Sequence, residues 1–484
     1  MVTTNDMRLL HELEETLRVF STALPESAEI RHTLVRTSVK DVHTFILSLS
    51  GIKKTYTYTA ASSQSQDTVE GLRLTRRAAK LGLYHVLREV TGITLPWGSL
   101  TGIRPTRLCR QLIREYGDLN LAIENMQDVF DVTYSKAALV RDIVLNQAGF
   151  YRWGEDGIAD LYVGIPFCRS RCLYCSFMSA DLSRKSMRDL VEPYIEGLLR
   201  EIRETADLLK EMGKKPGCLY VGGGTPSSIG TEALWRVLNA LQECFPSAME
   251  WTVESGRPDT MDEAMLSMMK DAGVERISIN PQTMQNNTLR LIGRRHTAED
   301  VIRTLDIAGH MGFQSVNMDL IMGLPGETIK QAEDTLRKIE VLPIDNLTVH
   351  TLSVKRSSRL HEFPDRYPLP DAETVKEMVS MGEDAARGMG MFPYYLYRQK
   401  YMTGNLENVG YSLPGKICCY NIDMMEETHH IVAMGAGSIS RRMYFDEDRH
   451  ERLANPKNVD YYLSHLNTLL DRKREFFLKG TVKV

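Results

Sequence analysis

The stretch LYVGIPFCRSRCLYC, residues 161–175, decides the fold, because it joins a predicted strand to three closely spaced cysteines. Residues 161–165 form a short apolar run bounded by a proline, which is the pattern of a buried strand. Cys168, Cys172 and Cys175 follow in a C-x3-C-x2-C spacing, on the loop predicted to leave that strand. Three thiols are one short of a tetrahedral structural zinc site, which needs a remote fourth ligand.

Five further runs of the same kind follow the first. They occupy residues 218–224, 251–255, 276–280, 315–323 and 346–354. The intervals between successive runs leave room for a crossover helix, and repeated strand–helix alternation is typical of a parallel sheet covered by helices. Six units are too few for a closed eight-stranded barrel. We therefore predict an α/β fold with a partial (β/α)6 TIM-like barrel.

The sequence predicts three domains. Residues 1–155 are expected to form an N-terminal α+β domain of unknown role, with two strands within residues 42–60 that turn near Gly51. Residues 156–360 contain the predicted barrel. The pattern loosens after about residue 360 at a proline-containing stretch, so residues 361–484 are expected to form a small C-terminal domain.

The N-terminal region contains helical patterns but no catalytic constellation. One such pattern runs from about Val69 to Glu89, and the segment TGIRPTRL, residues 101–108, fits a turn that opens the next helix. Arg104 and Arg107 are placed to hold an anion at that turn. Solvated arginines at the start of a helix are the more common explanation.

Composition restricts the classes of function. The 484 residues carry a net charge of −4, with 43% hydrophobic and 25% charged residues, which is ordinary for a globular protein. This charge gives no global electrostatic reason to expect nucleic acid or an anionic membrane as a partner. The opening residues lack the apolar run of a signal peptide, and no segment approaches a membrane span. We therefore expect a cytoplasmic protein.

Polar and glycine-rich residues recur where the predicted strands end. In parallel α/β folds the carboxyl ends of the strands meet at one edge and bind ligands there. The second run ends in GGGTP, residues 222–226, where the lack of side chains lets a ligand approach the backbone. Later strand ends supply Glu254, Gln282, Asp319 and His350. With the cysteines, these residues predict one pocket at that edge.

The number of thiols has a chemical explanation. A cubane of four irons and four sulfides takes one thiolate per iron, so three cysteines leave one iron open for an exchangeable ligand. C-x3-C-x2-C on a single loop suits three corners of such a cube and differs from the spacing of a zinc knuckle. We predict a 4Fe–4S cluster on Cys168, Cys172 and Cys175. Zinc with a distant fourth ligand is the minor alternative.

The cysteine motif, with Tyr174 before its last cysteine, resembles the signature of the radical S-adenosylmethionine (SAM) superfamily. The resemblance implies that SAM binds at the open iron and that reduction cleaves it to a 5′-deoxyadenosyl radical. A partial six-unit barrel is the core fold of that superfamily, in agreement with the strand pattern.

A narrower resemblance covers about residues 160–440. The segments LYVGIPFCRSRCLYCSF, YVGGGTPS, INPQTMQNNTLRLIGRRH and NMDLIMGLPGET are similar to those of the oxygen-independent coproporphyrinogen III oxidases. The N-terminal region with TGIRPTRL looks like the HemZ-type branch of these proteins. The resemblance implies cofactor-binding roles for Tyr162, Gly223, Gly224, Thr225, Glu254, Gln282, Arg294, Asp319 and Ile439. It implies catalytic roles for Tyr162, Glu254 and Asp319, and places Ile439 near a second SAM molecule.

The implied reaction is the anaerobic oxidative decarboxylation of two propionates of coproporphyrinogen III to vinyl groups, which gives protoporphyrinogen IX in heme biosynthesis. A reduced flavodoxin or ferredoxin is the implied electron donor. A tetracarboxylate substrate also needs cationic partners. The candidates in the sequence are Arg294, Arg295, Lys355, Arg356, Arg441 and Arg442.

Departures from the family pattern keep other functions open. The family's histidine after Tyr162 is Gly164 here, and an extra cysteine of the characterised oxidases is Phe177. The stretch CCYNIDMM keeps Asn421 but lacks the His and Trp of the heme-chaperone relatives. The alternatives are a heme-binding trafficking protein of the same family and a radical SAM enzyme that acts on another tetrapyrrole.

Overall fold

The computed structural model describes residues 1–49, 52–61, 68–101, 104–155, 157–177, 180–399 and 402–479. The chain divides into two compact units, Met1–Arg141 and Asp142–Val484. None of the helices in the described part of the chain combines the length and apolar composition that a membrane span requires. The domain boundaries expected near residues 155 and 360 stay predictions.

The first unit is built on one four-stranded sheet. Its strands are β1 (Val2–Thr4), β2 (Glu29–Arg36), β3 (Lys40–Leu49) and β4 (Ile52–Ala61). Its helices are α1 (Leu10–Val19), α2 (Val69–Thr91), α3 (Pro105–Tyr116), α4 (Leu119–Asp128) and α5 (Tyr134–Asn146), the last of which contains the division between the units. The strands lie in the order β1-β2-β3-β4, with β1 parallel to β2 and the other pairs antiparallel.

Alternating burial explains this sheet. Every second residue of β2 and β3 is buried along most of their length, as expected for a sheet with one covered face. Phe45 of β3 belongs to one apolar core with Leu13 of α1 and Leu83 of α2. The predicted strand pair and the predicted helix from Val69 are confirmed, and the turn expected near Gly51 lies outside the described residues.

The second unit is built on an 11-stranded sheet. Its strands are β5 (Ile158–Ile165), β8 (Lys215–Gly223), β9 (Glu250–Gly256), β10 (Arg276–Ile279), β11 (Ser315–Met322), β12 (Asn346–Thr351), β13 (Phe392–Tyr397), β14 (Asn408–Ser412), β15 (His430–Met434), β16 (Ile439–Tyr444) and β17 (Arg449–Ala454). A separate pair consists of β6 (Phe167–Cys168) and β7 (Ala180–Asp181). The order in the sheet is β13-β14-β12-β11-β10-β9-β8-β5-β15-β16-β17.

The helices of this unit alternate with its strands. They are α6 (Lys185–Arg188), α7 (Val191–Glu211), α8 (Thr231–Cys244), α9 (Glu263–Asp271), α10 (Asn286–Leu291), α11 (Ala298–Met311), α12 (Ile329–Ile339), α13 (Arg359–Glu362), α14 (Ala372–Gly388), α15 (Cys419–Glu426), α16 (Val459–Ser464) and α17 (Leu466–Leu478). Side-chain caps start several of them, and α11 and α12 each begin with a complete capping box.

Six neighbouring strands, β5 and β8 to β12, are parallel and follow one another in chain order. They are the six strands that the sequence predicts, so the α/β class with six strand–helix units is confirmed. The sequence analysis missed β15, which lies parallel to β5 on its other side. This strand has five residues, all buried, and so short an apolar run carries no distinguishing period.

A buried ion pair holds β15 in place beside β5. Lys473 of α17 donates to Glu201 Oε1 of α7 at 2.5 Å and to the carbonyl oxygen of Ala433 at 2.7 Å. Glu201 Oε2 accepts from the Gly435 amide at 2.7 Å and from the Tyr462 hydroxyl at 2.5 Å. Although burial raises the pKa of Glu201, the Lys473 ammonium brings it below its usual value. Removing one partner of such a pair leaves an uncompensated charge and costs about 3–5 kcal/mol.

Candidate active site

A cavity of about 390 Å³ opens at the carboxyl ends of the parallel strands. Its polar and sulfur-containing lining includes Tyr162, Cys168, Ser170, Cys172, Tyr174, Cys175, Thr225, Glu254, Arg257, Asn280, Gln282, Arg294, Asp319, His350 and Lys355. The volume lies within the range of small-molecule sites, and this end of the sheet is where parallel α/β folds bind ligands.

The cysteine loop forms one wall of this cavity. Cys168 is the last residue of β6, and it is buried together with Cys172, while Cys175 is partly exposed. The Cys175 amide donates to the carbonyl oxygen of Cys172 at 3.3 Å. Burial and the neighbouring Cys172 and Cys168 raise the pKa of the Cys175 thiol to about 11. The two neighbouring cysteines therefore oppose ionisation of the Cys175 thiol, and a bound cation removes that opposition.

The glycine-rich end of β8 lies directly against this loop. A Cβ atom on Gly224 would lie 3.0 Å from Cys168 Sγ and closer still to the carbonyl oxygen of Phe167. Gly223 has a φ of 113°, which favours glycine. The Thr225 amide donates to the Phe167 carbonyl oxygen at 2.7 Å, and its hydroxyl lies 3.6 Å from Cys168 Sγ. Glycines are required here because the two backbones approach so closely.

Arg257 fixes the cysteine loop to the end of β9. Its guanidinium donates to the carbonyl and hydroxyl oxygens of Ser170 at 3.1 and 3.0 Å, and to both carboxylate oxygens of Asp259 at 3.0 and 3.3 Å. Burial opposes ionisation of Asp259, but His296 and Arg257 hold its pKa well below the usual range. The sequence analysis missed Arg257, and the available signal was an arginine close behind Glu254 at a predicted strand end.

Glu254 is a partly buried acid whose pKa is raised towards neutrality. Its Oε1 accepts from the Tyr220 hydroxyl at 2.5 Å. Burial and the nearby Asp319 carboxylate raise the pKa of Glu254 to about 7, against the hydrogen bonds from Tyr220 and the Gly223 amide. The Tyr162 ring stacks with Tyr220, with 6.3 Å between centroids and 17° between planes. The cavity therefore places the Tyr162 ring near a carboxyl group that gains or loses a proton near pH 7.

Asp319 is kept ionised by its neighbours. Its carboxylate accepts from Asn280 Nδ2 at 2.7 Å and from Asn317 Nδ2 at 2.9 Å, and His350 Nε2 lies 3.7 Å away. Burial opposes ionisation, but hydrogen bonding and charge from His350, together with Asn317, lower the pKa of Asp319. Glu254 and Asp319 thus have their pKa values moved in opposite directions within one cavity.

Gln282 has an unusual backbone for its residue type. Its φ is 70°, in the left-handed region, and the residue is buried. The Gln282 amide donates to the Asp319 carbonyl oxygen at 3.0 Å, and its own carbonyl accepts from the Ile321 amide at 2.9 Å. Such a conformation costs about 1–2 kcal/mol for a residue with a side chain. Pairing with β11 therefore holds Gln282 in a strained position that aims it into the cavity.

Arg294 links the cysteine loop to the ends of β9 and β10. Its Nη1 donates to the carbonyl oxygens of Asn280 at 2.9 Å and Gly256 at 3.3 Å, and its Nη2 donates to the Tyr174 hydroxyl at 3.1 Å. Its Nε is buried and has no hydrogen-bond partner among the described residues. The Arg294 guanidinium therefore keeps donors that the hydrogen bonds to the described residues do not use, the Nε–H among them.

The cavity brings together most of the residues that the resemblance implied for cofactor binding. Those lining it are Tyr162, Gly223, Gly224, Thr225, Glu254, Gln282, Arg294 and Asp319, with the three cysteines of the motif. Ile439 is the exception: it is the first residue of β16, 48% exposed, and it is not part of this lining. The roles of all these residues stay predictions.

The six candidate cations are distributed differently. Arg294 and Lys355 line the cavity. Arg295 lies in an adjoining depression, and Arg356 is exposed. Arg441 and Arg442 are buried outside this cavity and donate to backbone carbonyl oxygens, those of Asp423 and Phe476 among them.

A second sulfur-containing cluster lies at the opposite ends of β5 and β8. Asp160, Cys218 and Asp423 are buried with their ligand atoms within 4.8 Å of one another. Arg152 Nη2 lies 2.7 Å from Asp423 Oδ2 and 3.8 Å from Cys218 Sγ, so a guanidinium already supplies positive charge there. Burial and Asp423 raise the pKa of Asp160 well above its usual value, and His429 and Arg152 lower that of Asp423. Cys218 also belongs to a buried apolar cluster with Tyr420 and Ile422, so its thiol lies between that apolar cluster and the acids.

The cysteine loop fits a cluster better than a single ion. Thiolates around one tetrahedral zinc lie about 3.8 Å from one another. Among the described residues, the groups whose ligand atoms all fall within 4.8 Å do not include Cys168, Cys172 and Cys175. A cubane takes one thiolate on each of three irons and spaces them more widely. A cubane held by the three cysteines would leave its fourth iron for an exchangeable ligand, and the cavity beside the loop has room for one.

Comparisons with known proteins agree with this site. The profile of the family described as "Radical SAM superfamily" matches residues 162–339. The Bacillus subtilis protein "Oxygen-independent coproporphyrinogen-III oxidase-like protein HemZ" is 35% identical over 95% of this chain and 90% of its own length. The heme chaperone HemW of the same organism is 29% identical over 48% of this chain and 61% of its own. The E. coli coproporphyrinogen III oxidase HemN, a radical SAM enzyme, shares the fold, with a TM-score of 0.52 and 22% identity over 67% of this chain and 72% of its own.

The match to HemZ extends through both compact units, and the superfamily profile runs from within β5 through β11 and ends before β12. A 4Fe–4S cluster and SAM are the cofactors of this superfamily. The chain belongs to the radical SAM superfamily, in the family of oxygen-independent coproporphyrinogen-III oxidase-like proteins.

Proposed function

We propose that this chain is a radical SAM dehydrogenase that converts two propionate side chains of coproporphyrinogen III into vinyl groups, giving protoporphyrinogen IX. Lys355 is the observation that carries the proposal. Its ammonium group lines the cavity, half-buried, and has no hydrogen bond or ion pair among the described residues. Burial lowers the pKa of Lys355, because the cation has lost water, and the neighbouring Cys175 thiol offsets that loss only in part. A substrate carboxylate supplies a full counter-charge.

The cofactor sites follow from the cavity lining. We assign the cluster to Cys168, Cys172 and Cys175. We assign SAM to the remaining cofactor-binding candidates that line the cavity, which are Gly223, Gly224, Thr225, Glu254, Gln282, Arg294 and Asp319. When bound, the two cofactors supply one-electron chemistry that removes a hydrogen atom from the substrate. Ionised Asp319 suits the hydroxyl and ammonium donors of SAM, and the guanidinium of Arg294 suits its carboxylate.

The reaction needs no base. Each CH2–CH2–carboxylate group becomes a vinyl group by losing a hydrogen atom, CO2 and one electron; the hydrogen atom would go to the adenosyl group of SAM, and the electron would return to the cluster that had reduced SAM. The work of the protein is therefore to bind and shield. Tyr162 lines the cavity, and its stacking with Tyr220 and Tyr420 behind it keeps water out on that side. Lys355 orients the carboxylate that leaves as CO2.

The electron donor needs a docking site near the cluster loop. A depression next to this loop is lined by Arg171, Arg290, Arg295 and Arg359, with Asp181 as its acid. Arg171 belongs to the cysteine loop itself. We assign this cationic depression to an acidic donor such as a flavodoxin or ferredoxin, because opposite charges steer association and suppress wrong partners.

The test is anaerobic incubation of the reconstituted protein with dithionite, SAM and coproporphyrinogen III, followed by mass analysis. Dithionite reduces without docking, so the result depends on the active site alone. Loss of two CO2 from the porphyrinogen together with formation of 5′-deoxyadenosine supports the proposal. Cleavage of SAM while the porphyrinogen stays unchanged would show that coproporphyrinogen III is not the substrate.

A heme carrier is the second candidate, because HemW relatives carry the name heme chaperone. The cavity contains His350 and Tyr397, which are residue types that ligate heme iron. A stable one-to-one Soret band after addition of heme, with no turnover in the assay above, favours this candidate.

A further inference from the structure

The loop after β10 contains a buried polar network that the proposed function does not use. Thr283, which directly follows Gln282, is buried, and its hydroxyl donates to Glu327 Oε1 at 2.5 Å. The Thr283 hydroxyl oxygen also lies 3.3 Å from the Thr335 hydroxyl oxygen of α12. The Met284 amide donates to the same Thr335 oxygen at 3.3 Å. One acid and one helix therefore hold this loop on the side away from β11.

The turn after β11 places Glu327 beside this loop. In the segment GLPGET, residues 323–328, Gly323 and Gly326 have φ values of 88° and 73°, which favour glycine. Thr328 then begins α12 with a complete capping box. Glu327 lies between the turn and the cap, and only 5% of it is exposed. The local sequence therefore fixes the backbone on both sides of this acid.

Hydroxyl groups, rather than a cation, surround the Glu327 carboxyl group. Burial raises the pKa of Glu327 to about 7, against hydrogen bonds from Thr283 and Thr288. In the described part of the chain Glu327 has no ion pair, and the nearby charged residues of α12, Asp334 and Lys338, lie 2.7 Å from each other instead. Burying an acid without a counter-charge lowers stability. Packing alone therefore does not explain an acid at this position.

Gln282 is the cavity residue that this network supports. Its φ of 70° is in the left-handed region, which a residue with a side chain keeps only where its surroundings hold it there. β11 holds one side, through the backbone hydrogen bonds of Gln282 with Asp319 and Ile321. The Thr283 hydroxyl, bonded to Glu327, holds the other side. Loss of the second contact should therefore let Gln282 move while the sheet stays intact.

We propose that Glu327 is a positioning residue for SAM, which acts through the Thr283 hydroxyl to hold Gln282 in its binding orientation. The inference rests on the assignment of SAM to this cavity under the proposed function. Glu327 itself is not part of the cavity lining. A carboxylate accepts a hydrogen bond more strongly than a neutral carboxyl group does. Because the pKa of Glu327 is about 7, the hold on Gln282 is strong above pH 7 and weakens as the pH falls through that value.

The first test measures SAM binding to the anaerobically reconstituted protein by equilibrium dialysis at pH 8, without reductant or porphyrinogen. Thr283→Val removes the hydroxyl with little change in shape and should raise the Kd for SAM about tenfold, the equivalent of one lost hydrogen bond. Thr283→Ser keeps the hydroxyl and should bind SAM within about twofold of the unchanged protein. Iron content should be the same in all of these proteins.

The matched control is Thr304→Val in α11. Thr304 is buried as Thr283 is, but its hydroxyl donates to the Asp300 carbonyl oxygen of its own helix at 2.8 Å. This variant also loses one buried hydroxyl, and Thr304 does not line the cavity. It should bind SAM like the unchanged protein. Circular dichroism checks that all the variants fold.

The second test distinguishes positioning by Glu327 from plain support of the fold, because only the former depends on its charge. Glu327→Gln keeps the shape of the side chain but cannot ionise. Its Kd for SAM should match that of the unchanged protein at pH 6 and exceed it about fivefold at pH 8. Glu254 also has its pKa raised to about 7, but it is present in both proteins, so its effect cancels in the ratio of the two Kd values. This test also decides the matter if Thr283→Val does not fold.

The proposal is overturned if Thr283→Val binds SAM as tightly as Thr304→Val, or if the ratio for Glu327→Gln is the same at both pH values. Either result leaves the proposed reaction standing, because turnover is not measured. The expected pattern of SAM binding in a protein that does not convert the porphyrinogen would overturn the proposed reaction alone. Absence of SAM binding by the unchanged protein would overturn both.

Discussion

The two sulfur-containing clusters at opposite ends of β5 and β8 use similar residues for different purposes. At the amino ends, Cys218 lies between two aspartates, and Arg152 supplies positive charge by an ion pair with Asp423. At the carboxyl ends, Cys168 and its two partners face a cavity in which the Lys355 ammonium has no partner among the described residues. Residue type alone does not distinguish a structural cluster from a reactive one. The two differ in whether their charged groups are paired and in whether an open cavity adjoins them.

Removing a thiol from each cluster is the most direct test of which thiols bind iron. Cys168→Ala, Cys172→Ala and Cys175→Ala should each abolish the iron–sulfur absorbance and SAM cleavage, since each removes one of three ligands. Cys218→Ala should keep a full cluster, because its sulfur lies in the other group. Iron content and visible absorption after anaerobic reconstitution measure both. A full cluster in any of the first three variants contradicts the ligand assignment.

The next largest effect tests the structural cluster. Arg152→Met leaves the buried Asp423 carboxylate without its closest cation, which should lower the free energy of unfolding by roughly 3 kcal/mol. Arg356→Met, at an exposed arginine, is the control and should change it by less than about 0.5 kcal/mol. Urea denaturation of the metal-free protein measures both. Equal stabilities would show that the Arg152 pair is not needed.

The pH dependence of stability sharpens the contrast between charged and neutral acids. Glu254 titrates near 4.5 in the unfolded chain and near 7 in the folded one, so the folded protein holds more protons between these values. Its contribution is present below pH 4.5 and is lost as the pH rises through 7, by about 3 kcal/mol in total. The free energy of unfolding, measured by urea denaturation of the metal-free proteins, should therefore fall less between pH 5 and pH 8 in Glu254→Gln than in the unchanged protein.

Glu327 also has its pKa raised to about 7 by burial, but it is present in both proteins and cancels in that comparison. If the free energy of unfolding changes equally with pH in the two proteins, the raised pKa of Glu254 is contradicted.

The smallest effect concerns the substrate. Lys355→Met should raise the KM for coproporphyrinogen III about tenfold, which corresponds to about 1.4 kcal/mol for one charge-assisted contact. Cluster content should not change. Arg356→Met, one residue along and exposed, should leave KM unchanged. An unchanged KM in the Lys355 variant would remove this residue from substrate binding.

The sequence predicted the parallel strands and their ligand-binding ends because both depend on local patterns. Short apolar runs with glycine or polar ends mark β8 and β9, and the crossover lengths set their direction. The same reasoning put Glu254 and Asp319 at one edge, and the structure has them lining one cavity.

Features that depend on distant parts of the chain were missed. The sequence neighbours of Cys218 are apolar, whereas its polar partner Asp423 is 205 positions away. β15 was missed because its only partner in the parallel part of the sheet lies far upstream. Arg257 was missed for a related reason, since its role comes from Ser170 on another loop.

The Glu201–Lys473 pair also has a consequence for the order of events during synthesis. The two residues are separated by 272 positions. At translation speeds of 5–20 residues per second, Glu201 waits roughly 15–55 s before its cation is made. During that interval β5, which leads into the cysteine loop, lacks β15 on one side and exposes an unpaired edge. Ribosome-bound chains of this protein therefore present an open strand next to unligated thiols, which is the state in which chaperones and cluster-delivery proteins have access to them.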